Sequence, residues 1–452
     1  MPPEHTACRV GYLAIGRKRP GFDPEWGEQI DGAAWEAVGR LPLDPFRPAT
    51  RAVDDPTLRR AIAESREADC ETLVVLQPTM GDGRLAPILA QLWEGPVVFW
   101  ATPERPDGGK VSSCSLVGTH VFASIFRQFG RPFELVYGDP GEAETGRRLV
   151  DAVRLAVAAA GLRRAKVGLV GSHAPGFINM AVDPAALSRD LGVALWHFGL
   201  QEFFGLVESR PAREVDDDVA RVEAMHLPMD EGLGRDDLAV NSRFYLAMRV
   251  LLDGENLDAL AVRCWPEVPN RLGAWPYLAM ARLAEEGRVV ALEGDVDGAI
   301  SCLIGHLLGM GVGYLSDWLE HDEHTVNLWH PGHAPLSMCA PGSARLGRHF
   351  NNRLPLVVNA TLAPDRPITL FRVWRCDGAY RMTACEARTG PPRRDLLGAH
   401  GLAVIDDRNV PEWFENLCHE GMPHHVSVFA GWHARRLQAL ARHLPLAWVA
   451  AR

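Results

Sequence analysis

Short apolar runs alternate with longer helical stretches from Cys8 to about residue 325, and this alternation constrains the fold more than any other feature of the chain. CRVGYLAIG, ETLVVLQ, PVVFWAT and PFELVYG read as buried strands, with helices between them at 56–68, 83–94, 117–129 and 142–161. Apolar, β-branched strands separated by helices build parallel sheets covered on both faces. The pattern restarts near residue 165 with AKVGLVGSHAPGF. It continues through VALWHFG, DALAVRCW, RVVALEGD and GVGYLSDW, with helices at 236–253 and 275–286. Beyond 325 the character changes. VNLWHPGHAPLSM, LPLVVNATL, PITLFRVWRCDGAYRMTACEARTG and HHVSVFAGW are strand-like and punctuated by turns, and helical pattern returns only at 432–443. The expected fold class is α/β: two Rossmann-like parallel-sheet domains, 1–165 and 166–325, followed by a β-rich C-terminal domain, 326–452. A length of 452 residues fits about three domains.

The net charge of -10 disfavours nucleic acid as a partner, because such binding needs a basic field to displace counterions. No apolar run reaches the roughly 20 residues of a membrane span, and MPPEHTACRVGYLAIG lacks the apolar core of a signal peptide. Nine cysteines without a C-x-x-C fit a reduced, cytoplasmic protein. MGDGRLAP and VGSHAPGF follow strands, but neither is G-x-G-x-x-G or carries a Walker lysine. They are expected to turn strand into helix.

The chemistry concentrates elsewhere. In VALEGDVDGAISCLIGHLLG a buried strand leads into a turn carrying Glu293, Asp295 and Asp297, and then into an apolar helix. Carboxylates at the C-terminal mouth of a strand stand where open α/β sheets bind ligands. Asp297 directly precedes the helix and is expected to cap it. Glu293 and Asp295, two apart, share a face in extended geometry. Glu267 ends AVRCWPE in a similar position. His330 and His333 lie in LWHPGHAP, as a metal pair or a pocket wall. His424 and His425 are adjacent, so on a strand they point to opposite faces and only one reaches a shared site. Two carboxylates and an imidazole suit a divalent metal with positions open to substrate.

The order of these motifs, RCWPE, then ALEGDVDGAISCLIGHLLG, WHPGHAP and PHH, resembles the L-fucose/L-arabinose isomerase family. LVVLQPTMGDGRLAPILAQLWEGPVVFWATPE and SLVGTH resemble its N-terminal domains. The resemblance implies a three-domain, metal-dependent aldose–ketose isomerase, with manganese as the usual cofactor. Carried over by residue, it implies Glu267 and Asp295 as acidic ligands that double as acid/base groups. His425 is the implied histidine ligand, with His424 as the alternative, and Glu293 stands behind them. EGDVDG is one residue shorter than the asparagine-containing turn of the classical L-fucose enzymes.

Such an enzyme moves a proton between C1 and C2 through an enediolate, on a hexose, deoxyhexose or pentose. Trp265 and Trp329 are candidates to stack on the sugar, His330, His333 and His424 to bind its hydroxyls, and Asp317 is a further pocket acid. Arg263 and Arg271 flank Glu267, either to bind an anionic substituent or simply to pair with nearby carboxylates. Because distant members of the family isomerise other sugars, the resemblance also makes sulfoquinovose, converted to sulfofructose, a specific candidate substrate. Family members assemble as homo-trimers or hexamers. Met80, in MGDG, and His120, in SLVGTH, are the residues expected to wall a neighbour's pocket. Two other functions fit the same residues: a cytoplasmic sugar sensor without catalysis, and a metal-dependent epimerase or lyase.

Overall fold

The computed structural model describes residues 8–18, 21–311 and 313–450. They form two compact units, one running to Gly161 and the other starting at Leu162.

The first unit holds five strands: β1 (Arg9–Ala14), β2 (Asp44–Phe46), β3 (Thr72–Leu76), β4 (Val97–Ala101) and β5 (Glu134–Tyr137). They pair in parallel in the order β2-β1-β3-β4-β5. Both faces are covered, as the apolar runs require. Leu73, Val75, Val97 and Phe99 point into one core, with the helices at 55–67, 85–92 and 115–128. Val74, Leu76, Val98 and Trp100 point into the other, with the helices at 24–39 and 143–162.

The second unit opens with β6 (Lys166–Val170), β7 (Ala194–Phe198), β8 (Ala259–Val262) and β9 (Val289–Ala291), parallel in the order β7-β6-β8-β9. The remaining strands are β10 (Tyr314–His321), β11 (Thr325–His330), β12 (Arg345–Arg348), β13 (Pro355–Thr361), β14 (Pro367–Cys376), β15 (Ala379–Gly390), β16 (Ala399–Val404), β17 (His425–Ala430) and β18 (Leu446–Trp448). They form one mixed sheet. Within it β16, β11, β10, β17, β14 and β15 pair in turn, and β15 pairs back to β16, so this stretch closes on itself. Closure removes the exposed edges that so many short strands would otherwise present.

Two expectations are corrected here. GVGYLSDW, grouped above with the second α/β domain, gives β10, which pairs antiparallel with β11 and β17 in the mixed sheet. A helix also forms at Val410–His419, ahead of the one at Ala434–Leu440. Asn409 caps it by accepting from the Glu412 amide, and Pro411 sits in its first turn, where no amide hydrogen is needed. Among the described residues no helix is long and apolar enough to cross a membrane.

The helix Val296–Leu307 packs against β6, β8 and β9 on one side and against β10, β14 and β17 on the other. It joins the parallel sheet to the closed one, and its N-terminus lies where the titratable side chains gather.

Candidate active site

The turn between β9 and this helix is built tightly. Glu293 and Gly294 both adopt left-handed backbone conformations, with φ of 60° and 67°. A non-glycine residue held there is uncommon and marks local strain, which concentrates at functional sites. The Gly294 amide donates to the Val262 carbonyl at 3.0 Å, and the Ala174 amide donates to the Glu293 carbonyl at 2.8 Å. The turn is thus clamped between the loops that follow β6 and β8. A Cβ on Gly294 would lie 2.1 Å from the Ser172 carbonyl oxygen, so only glycine fits.

This geometry aims Glu293 at the closed sheet. Its Oε1 accepts from Trp265 Nε1 at 2.7 Å, while Oε2 is buried without a hydrogen bond. His425 Nε2 lies 3.4 Å from that oxygen and 3.5 Å from Asp317 Oδ1. Asp317 and His425 are direct partners in the β10–β17 register. His330 Nε2 stands 4.0 Å from Glu293 Oε1, and His424 Nε2 stands 4.0 Å from Asp317 Oδ1. Among the described residues, two trios place their ligand atoms within 4.8 Å of one another: Glu293, His424 and His425, and Asp317, His330 and His425. His425 is common to both. Its side chain is fully buried, whereas those of Asp317 and His424 are 24% and 32% exposed, so the cluster opens on their side.

Electrostatics follow from this packing. Burial alone would lower the His425 pKa, but the carboxylates of Asp295 and Glu293 outweigh it and push the value up to about 9. Burial raises Asp317 to about 6; His425 opposes the shift and Glu293 adds to it. Burial also drops His424 to about 4 and His333 to about 3, with the charge of His425 adding to both shifts. His330 is lowered well below its ordinary value for the same reasons, with His333 the largest of its charged neighbours.

The two acids matched to the family ligands stand outside both trios. Asp295 caps the helix, accepting from the Gly298 amide at 2.8 Å on Oδ1. Arg372 forks onto it at 2.6 and 2.9 Å, and His425 Nδ1 meets Oδ2 at 2.9 Å. Those contacts fill the roughly four lone-pair sites a carboxylate offers. Burial would raise its pKa, but Arg372 and His425 hold it far below the ordinary range. Asp295 rather than Asp297 is therefore the helix cap; Asp297 sits in the first turn, where burial pushes its carboxyl up to about 7.

Glu267 opens the short helix Glu267–Leu272, and its carboxylate is bound by Arg263, Nε to Oε2 at 2.8 Å with a second guanidinium contact. Arg263 donates as well to Ser172 Oγ at 2.8 Å and to the His173 carbonyl at 3.3 Å, tying the β6 and β8 loops together. Arg271 pairs at the surface with Glu208 at 3.0 Å.

The aromatic residues divide. Trp265 orients Glu293. Phe177 stands 5.8 Å from the Trp265 ring and 4.5 Å from His424, forming a wall by the open side of the cluster. Trp329 donates to the Leu397 carbonyl at 2.7 Å and meets Phe350 edge-on. His333 packs against Tyr314, Tyr277 and His330, on the buried side. His424 precedes β17, and its carbonyl accepts from the Trp318 amide; off the strand, the pleat no longer directs its side chain, and both adjacent histidines reach the cluster. Met80 and His120 lie in the first unit. The Met80 amide is bound to the Ser113 carbonyl at 2.8 Å, and His120 is exposed on the helix 115–128.

Sequence reasoning did not single out Arg372 or Phe177, and it ranked Glu293 behind its neighbours. Arg372 had a visible signal, a lone cation in the apolar run PITLFRVW.

No protein-family model matches the chain. Curated relatives do. It is 29% identical over 443 residues to the sulfoquinovose isomerase of Priestia aryabhattai, covering 97% of this chain and 98% of the relative. The Priestia megaterium sulfoquinovose isomerase matches to the same extent. That of Alkalicoccus urumqiensis is 30% identical over 369 residues, covering 80% of this chain and 82% of the relative.

Proposed function

From a chain that belongs to the sulfoquinovose isomerase family, we propose an enzyme that interconverts sulfoquinovose and sulfofructose, an aldose–ketose isomerisation through an enediolate. Glu293, Asp317 and His425 are its metal ligands, with His424 and His330 beside them. One observation carries this reading: Glu293 Oε2 and His425 Nε2 are buried, face each other, and have no hydrogen bond. Orphaned polar atoms of that kind are costly unless something binds them. Carboxylate oxygens with one imidazole suit a hard or borderline divalent cation, manganese first.

A divalent cation bound there supplies Lewis acidity that polarises the sugar carbonyl. The chain supplies the rest. Trp265 Nε1 occupies Glu293 Oε1 and so turns Oε2 toward His425 as the oxygen that would hold the cation, which leaves the carbon-bound proton to the Asp317 carboxylate, on the open side. Phe177 and Trp265 shield the reacting carbons from water. Homo-oligomeric assembly belongs to the same proposal. It is supported by the exposed apolar residues Val111, Leu116 and Val117 on the first unit, near His120 in sequence.

The test is a sugar panel run with manganese on the metal-stripped protein: sulfoquinovose, glucose and L-fucose, with products read by NMR. Sulfoquinovose should give sulfofructose, EDTA should abolish turnover, and manganese should restore it. Preference for a neutral sugar would refute the substrate, and undiminished turnover in EDTA would refute the metal.

A further inference from the structure

Arg372 and Asp295 form an ion pair in which both side chains are 0% exposed. A buried pair of this kind is weak support for stability, since apolar residues of similar volume often serve as well. Its directional consequence is more informative. The Arg372 fork and the Gly298 amide leave Asp295 Oδ2 one acceptor site, and His425 Nδ1 fills it at 2.9 Å. A carboxylate only accepts in that arrangement, so the hydrogen lies on Nδ1. Nε2 is then the nitrogen presented to Glu293 and Asp317, at 3.4 and 3.5 Å. Arg372 comes from β14 and Asp295 from the helix cap, so the fork also fixes the distance between the helix and the strand next to β17.

We infer that Arg372 is a positioning residue: through Asp295 it sets the tautomer and ring orientation of His425, and so the metal affinity of a site it does not touch. This rests on the proposed metal site. Partners of a ligating histidine typically govern metal affinity by roughly 10- to 100-fold.

The experiment compares full-length wild type, Arg372→Lys, Asp295→Asn and Glu293→Gln. Mn2+ affinity is measured by EPR of the free ion, alongside thermal unfolding of the metal-free proteins. Arg372→Lys keeps the charge but loses the fork. It should unfold cooperatively yet bind Mn2+ about 10- to 100-fold more weakly. Asp295→Asn should behave alike, and Glu293→Gln should lose more. Wild-type affinity in a folded Arg372→Lys, with binding lost in Glu293→Gln, overturns the inference alone. Wild-type affinity in Glu293→Gln overturns the metal-site reading instead. If Arg372→Lys and Asp295→Asn both fail to unfold cooperatively without metal, the pair is a core element, and the inference falls.

Discussion

Gly294→Ala is the sharpest probe of how the turn sets the site. The added methyl would lie 2.1 Å from the Ser172 carbonyl oxygen and 3.0 Å from His173 Cα. A carbon–oxygen contact relaxes near 3.3 Å, so the turn must retreat by about 1 Å. The left-handed φ of 67° adds strain of roughly 1–2 kcal/mol for a residue with a Cβ. With the clash, the expected loss is about 2–3 kcal/mol, a Tm drop on the order of 3–5 °C for a unit this size. Glu293 moves with the turn, and a misplacement of about 1 Å costs on the order of 100-fold in kcat/KM. Gly309→Ala is the control. Gly309 has a φ of 73° just beyond the other end of the same helix, and nothing stands within 4 Å of its Cβ position. It should carry the strain without the displacement and keep its activity. The assay is sulfofructose formation alongside calorimetric unfolding. If Gly294→Ala matches Gly309→Ala in Tm and stays within about threefold of wild-type kcat/KM, the close approach to Ser172 does not position Glu293.

Three further outcomes follow from the same geometry. Glu293→Gln should lower kcat by about 10³-fold, whereas Glu267→Gln should stay within about tenfold, because Glu267 is engaged by Arg263; steady-state kinetics on both variants decide between the carboxylates. Phe177→Ala removes a ring 4.5 Å from His424 and should raise KM about tenfold with a smaller change in kcat, read by the same assay; an unchanged KM would place the substrate elsewhere. Asp218→Asn leaves Arg282 buried without its fork, at 2.7 and 2.8 Å in the wild type, and should cost about 3–5 kcal/mol in denaturant unfolding while leaving KM alone.

The strand–helix alternation made the apolar strands of both parallel sheets legible, but not the edge strand Asp44–Phe46, which is short, half-buried and starts with an aspartate. The mixed sheet was legible in content but not in its boundary. Tyr314–His321 opens on apolar residues like a parallel strand but also carries Asp317, Glu320 and His321, and its partners β11 and β17 reveal its place. The proposed site draws on the same turn that the sequence singled out. Motif order brought attention to Glu293 and Asp295, but two residues with the same chemistry, two positions apart, cannot be ranked by spacing. Local conformation ranks them. Left-handed backbone at Glu293 throws its carboxylate toward β17, while Asp295, at the helix start, turns inward to the amide of Gly298 and to Arg372. Glu267 reads in the sequence as the acid at an apolar strand's end; in the fold it opens the helix Glu267–Leu272, with Arg263, four residues earlier, within reach of its carboxylate.

The site exists only where two sheets dock. Glu293 comes from the mouth of the parallel sheet, Asp317 and His425 from β10 and β17, and the helix Val296–Leu307 packs against both layers. Asp317, His330 and His425 all come from the closed sheet, and Glu293 joins them only where the parallel sheet docks. If the proposed metal site is right, local unfolding of the closed sheet would abolish metal binding while the parallel sheet stayed intact. Conversely, whatever binds Glu293 and His425 together ties the layers and stabilises their docking by mass action, to a degree set by its concentration relative to its Kd. In an enzyme arranged this way, affinity for the metal and stability of the docked layers are two measurements of one interaction. A stability gain on adding manganese that is lost in Glu293→Gln would link them directly.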